Sequence, residues 1–323
     1  SSQWIPIEAF PKQSLPIPKG GRHLNRRPLY WPHAVAPAHR PAMQSPAPTA
    51  TDSITTGDGT RLFTQRWCAR APRAAVLLAH GYAEHSGRYA HVAGYLNAHD
   101  VSVYTYDQRG FGRSDGRRGL VTSFDRLLDD LQRVIDRTRQ RLPESLPLFL
   151  MGHSMGGALC ALYAIERSQA FRGLILSSPA VEIDDDIAPI LRKLAGVLGT
   201  LAPTLPTIRT ADDAISRDPA VIAAAEADPL NYHGRVLAGT GAAFLGAAQR
   251  TQTHMAAIAL PLLVFHGTAD PLTDPAASRM LYEHARSPDK TLNLYDGLYH
   301  ETLNEPEKKQ VLADIVEWLD ARV

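Results

Sequence analysis

Gly152-His153-Ser154-Met155-Gly156 decides how this chain is read. The stretch follows an apolar run, Leu148 to Met151, and opens onto a helix-like one, Gly157 to Arg167, so it sits where a buried strand turns sharply into a helix. A serine in such a turn has a strained backbone, and glycine two residues before and two after lets neighbouring segments come close enough to hold it. The Ser154 hydroxyl then projects beyond the sheet, placed to attack a carbonyl. An ordinary strand-to-helix turn uses the same residue types, so the reading depends on what surrounds it.

A serine hydroxyl is a weak nucleophile near neutral pH. It needs a histidine to take its proton and a carboxylate to orient that histidine. When the chain order is serine, acid, histidine, the acid follows a late strand and the histidine follows the last one. Leu262 to Phe265 reads as a buried strand, and His266-Gly267-Thr268-Ala269-Asp270-Pro271 follows it as a loop. Asp270 is therefore the candidate acid. Asp274 in the same loop is its rival, with a structural explanation of its own as the cap of a helix beginning near Ala276. Thr291 to Tyr295 alternates like a strand, and His300 in the loop beyond it is the candidate base; Asp296 beside Gly297 reads as turn chemistry.

Attack on a carbonyl leaves negative charge on its oxygen, which needs amide donors. One is the N–H of the residue after the serine, Met155, and a second comes from the loop after the third strand. That strand reads as Ala74 to Ala79 and runs into His80-Gly81-Tyr82, which makes the Tyr82 amide the second donor. No phosphate-cradling glycine loop and no Cys/His metal spacing appears, so neither cofactor nor metal is expected.

Apolar runs at 101–106, 148–151, 173–177, 262–265 and 291–295 alternate with helix-like stretches at 88–98, 124–141, 157–167, 276–285 and 307–321. Such alternation predicts a mostly parallel sheet with helices on both faces. Ser53 to Thr56 and Arg61 to Trp67, joined by Gly57-Asp58-Gly59, read as an antiparallel hairpin at one edge. The order of elements is that of the α/β-hydrolase fold. About 181–258 is too long for one crossover helix and reads as an inserted helical cap over the site. Within it Ile187, Ile190, Leu191, Leu194, Val197, Leu198 and Leu201 recur at helical spacing. Such a stripe either lines an acyl pocket, with Ile187, Leu191 and Leu194 as candidate substrate-binding residues, or packs on the body. Phe244 and Leu245 stand in the Gly- and Ala-rich stretch 237–248.

Several of these strings together resemble the monoacylglycerol lipases. They are His80-Gly81, Glu84-His85-Ser86-Gly87-Arg88-Tyr89, Gly152 to Gly157 and Gly267-Thr268-Ala269-Asp270, with Ser216-Arg217-Asp218-Pro219 and Asp228-Pro229-Leu230 resembling segments of that family's cap. The resemblance runs from about Ile54 to the C-terminus, and the Glu84 to Tyr89 string is its most specific part. It implies a Ser154, Asp270 and His300 triad with oxyanion amides at Tyr82 and Met155. It further implies a serine hydrolase that cleaves carboxylic esters, foremost monoacylglycerols to fatty acid and glycerol, through an acyl-enzyme on Ser154. Two departures bear on substrate. Asp107 to Ser114 stands where lipases of the family usually carry a histidine-containing version of the turn, and Tyr82 is larger than the small residue often found there in animal members. A general carboxylesterase acting on short-chain or aromatic esters shares every catalytic residue. A peptidase or thioesterase would need recognition of an amine or of coenzyme A, for which no residue cluster stands out. A non-catalytic ligand receptor on the same fold is the alternative of another class.

Composition sets the remaining bounds. With 323 residues, 44% of them hydrophobic, the chain can bury one large core. Residues 1–50 hold ten of the 24 prolines and carry six basic side chains against Glu8 alone, a net charge of +5. They are expected to be an extended or disordered extension, with 51–323 as the hydrolase domain. Trp4, Tyr30 and Trp31 leave packing on the body or on a second subunit open. Met43, followed by linker-like sequence, is where a complete hydrolase would start, and truncation before it is expected to leave activity intact. The chain as a whole carries +1, so 51–323 carries −4, which gives no reason to expect nucleic-acid binding. No stretch approaches the roughly 20 apolar residues that cross a bilayer, and the first fifty lack the apolar core of a secretory signal. The expectation is a cytoplasmic protein acting on a small ester or lipid, with a signal removed before Ser1 and a transient membrane-surface contact of the cap left open. Cys68 in an edge strand and Cys160 behind the serine are expected to be buried thiols rather than a disulfide.

Overall fold

In the computed structural model residues 45–167, 171–182, 196–209 and 214–323 are described. The expectations for residues 1–44, and those for Ile187, Leu191 and Leu194, lie outside them. Eight strands form one sheet: β1 (Ala50–Thr55), β2 (Arg61–Trp67), β3 (Ala74–Ala79), β4 (Val101–Tyr106), β5 (Leu148–His153), β6 (Gly173–Ser177), β7 (Leu262–Gly267) and β8 (Lys290–Tyr295). Their spatial order is β1-β2-β4-β3-β5-β6-β7-β8. β1 pairs with β2, and β2 with β4, antiparallel; every other neighbour is parallel. The expected edge hairpin is β1–β2, three residues longer at its start than the alternation of its side chains suggests.

Every residue of β3 to β7 is buried, which is why these strands read as continuous apolar runs rather than alternating ones. The period of two survives in the packing. Ala75, Leu77 and Ala79 of β3 enter one core, and Ala74, Val76 and Leu78 enter the other. The first core is closed by α2 (Phe124–Arg139) through Leu127, Leu128 and Leu131, and by α3 (Met155–Glu166) through Leu159 and Leu162. The second is closed by α1 (Ala90–Asn97) through Val92 and Leu96, and by the C-terminal helix through Val316 and Trp318. Burying a Leu or Val fully is worth about 1.5–3 kcal/mol, so a sheet sandwiched in this way is a stiff platform for whatever its strand ends carry.

Between β6 and β7 the described chain adds no strand to the sheet. It holds α4 (Pro219–Ala227), N-capped by the Asp218 carboxylate accepting from Ala220 N at 2.9 Å, and α5 (Ala238–His254), which lies against α3. α4 buries no residue, whereas α5 buries small ones, Gly239, Thr240, Ala247 and Ala248. Of the apolar stripe read from the sequence, Val197, Leu198 and Leu201 are described, and they are exposed, Leu201 by 79%. Neither packing on the body nor lining a pocket accounts for them. After β7 comes α6 (Pro275–His284), and after β8 comes α7 (Lys308–Asp320). Cys160 is a buried free thiol. Cys68, expected to be buried, is free and exposed because it falls one residue beyond the end of β2.

Candidate active site

Ser154 stands between the last residue of β5 and the first of α3, with φ 51° and ψ −116°. A non-glycine residue rarely adopts this conformation, and it persists only where the surroundings over-determine it. Here they do. A Cβ on Gly152 would meet the Gly156 carbonyl oxygen at 2.2 Å, and one on Gly156 would meet that of Ala79 at 2.2 Å, so only glycine lets α3 run this close to β5 and β3. The Ser154 amide donates to Ser177 O at 2.9 Å, and its hydroxyl makes no capping bond to the helix. The hydroxyl is thereby left at the edge of a cavity of about 520 Å³ that His300, His153 and Tyr82 also line. Met155 opens α3, where the first amides have no acceptor within the helix and point at any developing anion.

The Asp270 side chain is wholly buried. Its Oδ2 accepts from His300 Nδ1 at 2.7 Å, and its Oδ1 accepts from the amides of Leu272 at 2.8 Å and Thr273 at 3.1 Å. Burial alone would raise its pKa, but hydrogen bonds from His266 and His300 override that and hold it well below the usual carboxylate range. His300 is thus given one tautomer, Nδ1 protonated, with Nε2 free to accept a proton. The Ser178 hydroxyl donates to His300 O at 2.9 Å from a residue that itself has φ 42°, fixing the loop from the sheet side. The Asp274 carboxylate accepts from Ala276 N at 2.7 Å and caps α6.

The turn after β3 is held with equal care. His80 Nε2 accepts from Gln108 N at 2.8 Å, and the Gln108 side chain donates to His80 O. Gln108, within the Asp107 to Ser114 turn, thus holds His80 at the start of this loop. Glu84 Oε1 accepts from Gly81 N and from Tyr89 OH at 2.6 Å, and its Oε2 takes Arg88 Nη1 at 3.0 Å. Arg88 in turn grips Glu301 with both terminal nitrogens, at 2.5 and 2.7 Å. Burial works against the charged form of Glu84, and Arg88, His153, His80 and the Tyr89 hydroxyl together outweigh it, bringing it down to about 2. His153, beside the serine, is pushed down to about 4 by burial and then by His300, whose ring centre is 4.8 Å away. It stays a neutral wall residue at any working pH.

Much of the remaining lining is apolar, Ile208, Ile215, Val236, Phe244, Leu245 and Leu272, with Glu182 and Thr273 among them. Ile208 and Val236 are aimed there by a short antiparallel pairing in which Thr207 N donates to Val236 O and Val236 N to Ile208 O, both at 2.8 Å. The Tyr82 ring meets Phe111, Tyr232 and Phe244 edge to face, at centroid distances of 5.4, 6.2 and 5.9 Å. Among the lining residues only Phe244, Leu245 and the residues of the three motif loops carried a signal in the sequence. Ile208, Ile215 and Val236 sit in segments with no sustained period, and Glu301 had nothing to mark it beyond its place next to His300.

A serine on a strained turn between a parallel strand and a helix, in a sheet of this order, defines an α/β-hydrolase of the serine hydrolase class. The sequence profile of the family described as serine aminopeptidase, S33, matches residues 70–307. A monoacylglycerol lipase of Mycolicibacterium smegmatis is 42% identical over 262 residues, covering 81% of this chain and 93% of that one. A monoglyceride lipase of Rattus norvegicus is 35% identical, covering 84% and 90%. The crystal structure of the Paleococcus ferrophilus monoacylglycerol lipase superposes with a TM-score of 0.73 at 31% identity, over 81% of this chain and 99% of that one. The chain belongs to the monoacylglycerol lipase family and is a carboxylic ester hydrolase.

Proposed function

We propose that this enzyme hydrolyses monoacylglycerols to fatty acid and glycerol through an acyl-enzyme on Ser154. The observation that carries the reading is one cavity with two chemistries: Ser154 and His300 both line it, and much of the rest of its lining is aliphatic and aromatic. In the first half-reaction His300 Nε2 takes the Ser154 proton as the oxygen attacks the ester carbonyl, Asp270 steadies the imidazolium, and the amides of Tyr82 and Met155 receive the oxyanion. His300 then gives the proton to the departing glycerol oxygen. Water repeats the attack with His300 as base, releasing the fatty acid and restoring Ser154.

A peptidase specific for a free amine needs an unspent anion at the site. Glu84 and Glu301, the carboxylates nearest the Tyr82 loop, are both committed to Arg88, and the third carboxylate of the lining, Glu182, accepts from Asp274 N at 3.2 Å. The exposed apolar side chains Val197, Leu198, Leu201, Leu205 and Ile208 cluster in the segment leading to the cavity wall, with Ile208 in the wall itself. They suit transient contact with a lipid surface from which a single-chain substrate is taken. Among the described residues no helix is long and apolar enough to cross a membrane. Two unpaired thiols suit a reducing compartment, and cytoplasmic residence is part of the proposal. The experiment is steady-state hydrolysis of acyl-matched mono-, di- and triacylglycerols beside p-nitrophenyl esters of increasing length, with Ser154→Ala as control. Selective turnover of monoacylglycerols with medium or long chains is expected; preference for short or aromatic esters would make this a general carboxylesterase.

A further inference from the structure

His266, the last residue but one of β7, is wholly buried and lies next to the loop that carries Asp270. Its Nε2 lies 2.8 Å from Asp270 Oδ2, the same oxygen that His300 Nδ1 meets at 2.7 Å. Thr273 supplies the remaining contacts: its hydroxyl donates to Asp270 Oδ2 at 2.8 Å, and Thr273 O lies 3.1 Å from His266 Nε2. On the far side of the ring, Nδ1 is 2.7 Å from the hydroxyl of Ser278, a buried residue of α6. A proton on Nε2 donates toward Asp270 and leaves Nδ1 to accept from the Ser278 hydroxyl.

We propose that His266 is a positioning residue for the Asp270–His300 pair, a second imidazole that fixes the carboxylate and shares its charge. This rests on Asp270 being the acid of the triad. A buried carboxylate must be saturated with donors to stay ionised and to stay still. With both Oδ1 sites taken by amides, the orientation of Oδ2 is settled by His266 and Thr273 before His300 engages it. Each donor on Oδ2 also draws on the same electron density, so His266 weakens the pull of Asp270 on the His300 proton. His266 thereby competes with His300 for the charge on Oδ2. The hydrogen bond from His266 is the foremost influence lowering the pKa of Asp270 against its burial. The other titratable groups facing the cluster are His153, against the His300 ring, and Glu301, held by Arg88.

Two substitutions separate positioning from plain structural filling. His266→Gln can place an amide donor where Nε2 now reaches Asp270. His266→Asn places its amide near Nδ1, keeping Ser278 and losing Asp270. The proposal expects the Gln variant to keep kcat within about threefold, because one charge-assisted hydrogen bond is retained. The Asn variant is expected to lose about ten- to a hundredfold in kcat, the rate equivalent of that bond, with KM little changed. The acid limb of its kcat/KM profile should move up by about half a unit to one unit as Asp270 pulls harder on His300. Ser278→Ala, which leaves the Asp270 side of the ring intact, should keep the wild-type acid limb and serves as the readable variant if either substitution at 266 fails to fold; an acid limb displaced upward in Ser278→Ala would overturn the proposal. So would an Asn variant as active as the Gln variant, or equal losses in both with the acid limb unmoved. Asp270→Asn is run alongside: wild-type turnover there sinks the triad reading itself, whereas a large loss there with inert His266 variants sinks only the role of His266.

Discussion

The ends of β5, β6, β7 and β8 and the segment between β6 and β7 meet at one cavity but are made differently. At the strand ends Asp270 and His300 are buried and held by hydrogen bonds, and two non-glycine residues, Ser154 and Ser178, are held at positive φ. Across the cavity the inserted segment offers α4, which buries nothing, and a run of apolar side chains facing outward. Chemistry needs atoms held to a fraction of an ångström, and that requires rigid support. Accommodation of an alkyl chain needs only apolar area, which is non-directional. The two regions answer those separate demands, and substitutions in each should fail in different ways.

The sharpest break comes from Ser154→Ala, which should lower kcat about a millionfold while leaving binding of a non-hydrolysable ester analogue in place; residual burst-free turnover near the wild-type rate would refute the mechanism. Next is the pair Asp270→Asn and Asp274→Asn. The first should cost about 10⁴ in kcat, by the loss of the His300 tautomer. The second should leave kcat close to wild type and lower thermal stability by about 1 kcal/mol or less, as a weakened helix cap does. The reverse ranking would exchange their roles.

Acid should strike the strand-end region through its stability. The folded pKa of His153, about 4, lies below the usual 6.5, so the unfolded chain binds a proton that the folded one refuses. That contribution is complete above pH 6.5 and is lost as pH falls toward 4, by about 3 kcal/mol in all. Glu84, brought from 4.5 to about 2, adds loss of the same sign at lower pH. Thermal melts between pH 7 and 4.5 should show Tm falling, with a flatter profile in His153→Gln; a pH-independent Tm would contradict this. The smallest effects belong to the insertion. Phe244→Ala, which removes a ring packed on Tyr82 and Phe124, should favour acyl chains one or two carbons longer by about tenfold in relative kcat/KM, with Tm little changed. Leu201→Ser with Val197→Ser should reduce co-sedimentation with lipid vesicles severalfold while hydrolysis of a water-soluble short-chain ester is unaffected.

The same contrast explains what could be read from the residues alone. The sheet was legible because β3 to β7 are buried on both faces and announce themselves as apolar runs, and because the tight turn at Ser154 admits only glycine at Gly152 and Gly156. Ser154, Asp270 and His300 were legible as candidates by their order after particular strands. His266, Thr273 and Ser178 were not, since each is a common residue whose meaning lies in a partner that is distant along the chain or defined only by loop geometry. Ile208 and Val236 were equally hidden: their aim is set by a two-residue backbone pairing that no period reveals. The exposure of Leu201 shows the limit from the other side, for helical spacing tells which residues share a face and not what that face meets.

Arg88 lies just beyond β3 and holds Glu301, which lies just beyond β8, so a single guanidinium couples two loops more than two hundred residues apart in the chain. In the language of protein engineering the oxyanion loop and the histidine loop are one cassette. Replacing one loop with a version that lacks its charge would leave either a buried cation or a buried anion without its counterpart, at a cost of several kcal/mol. Loop exchanges that keep both charges should be tolerated, and those that lose one of them should not.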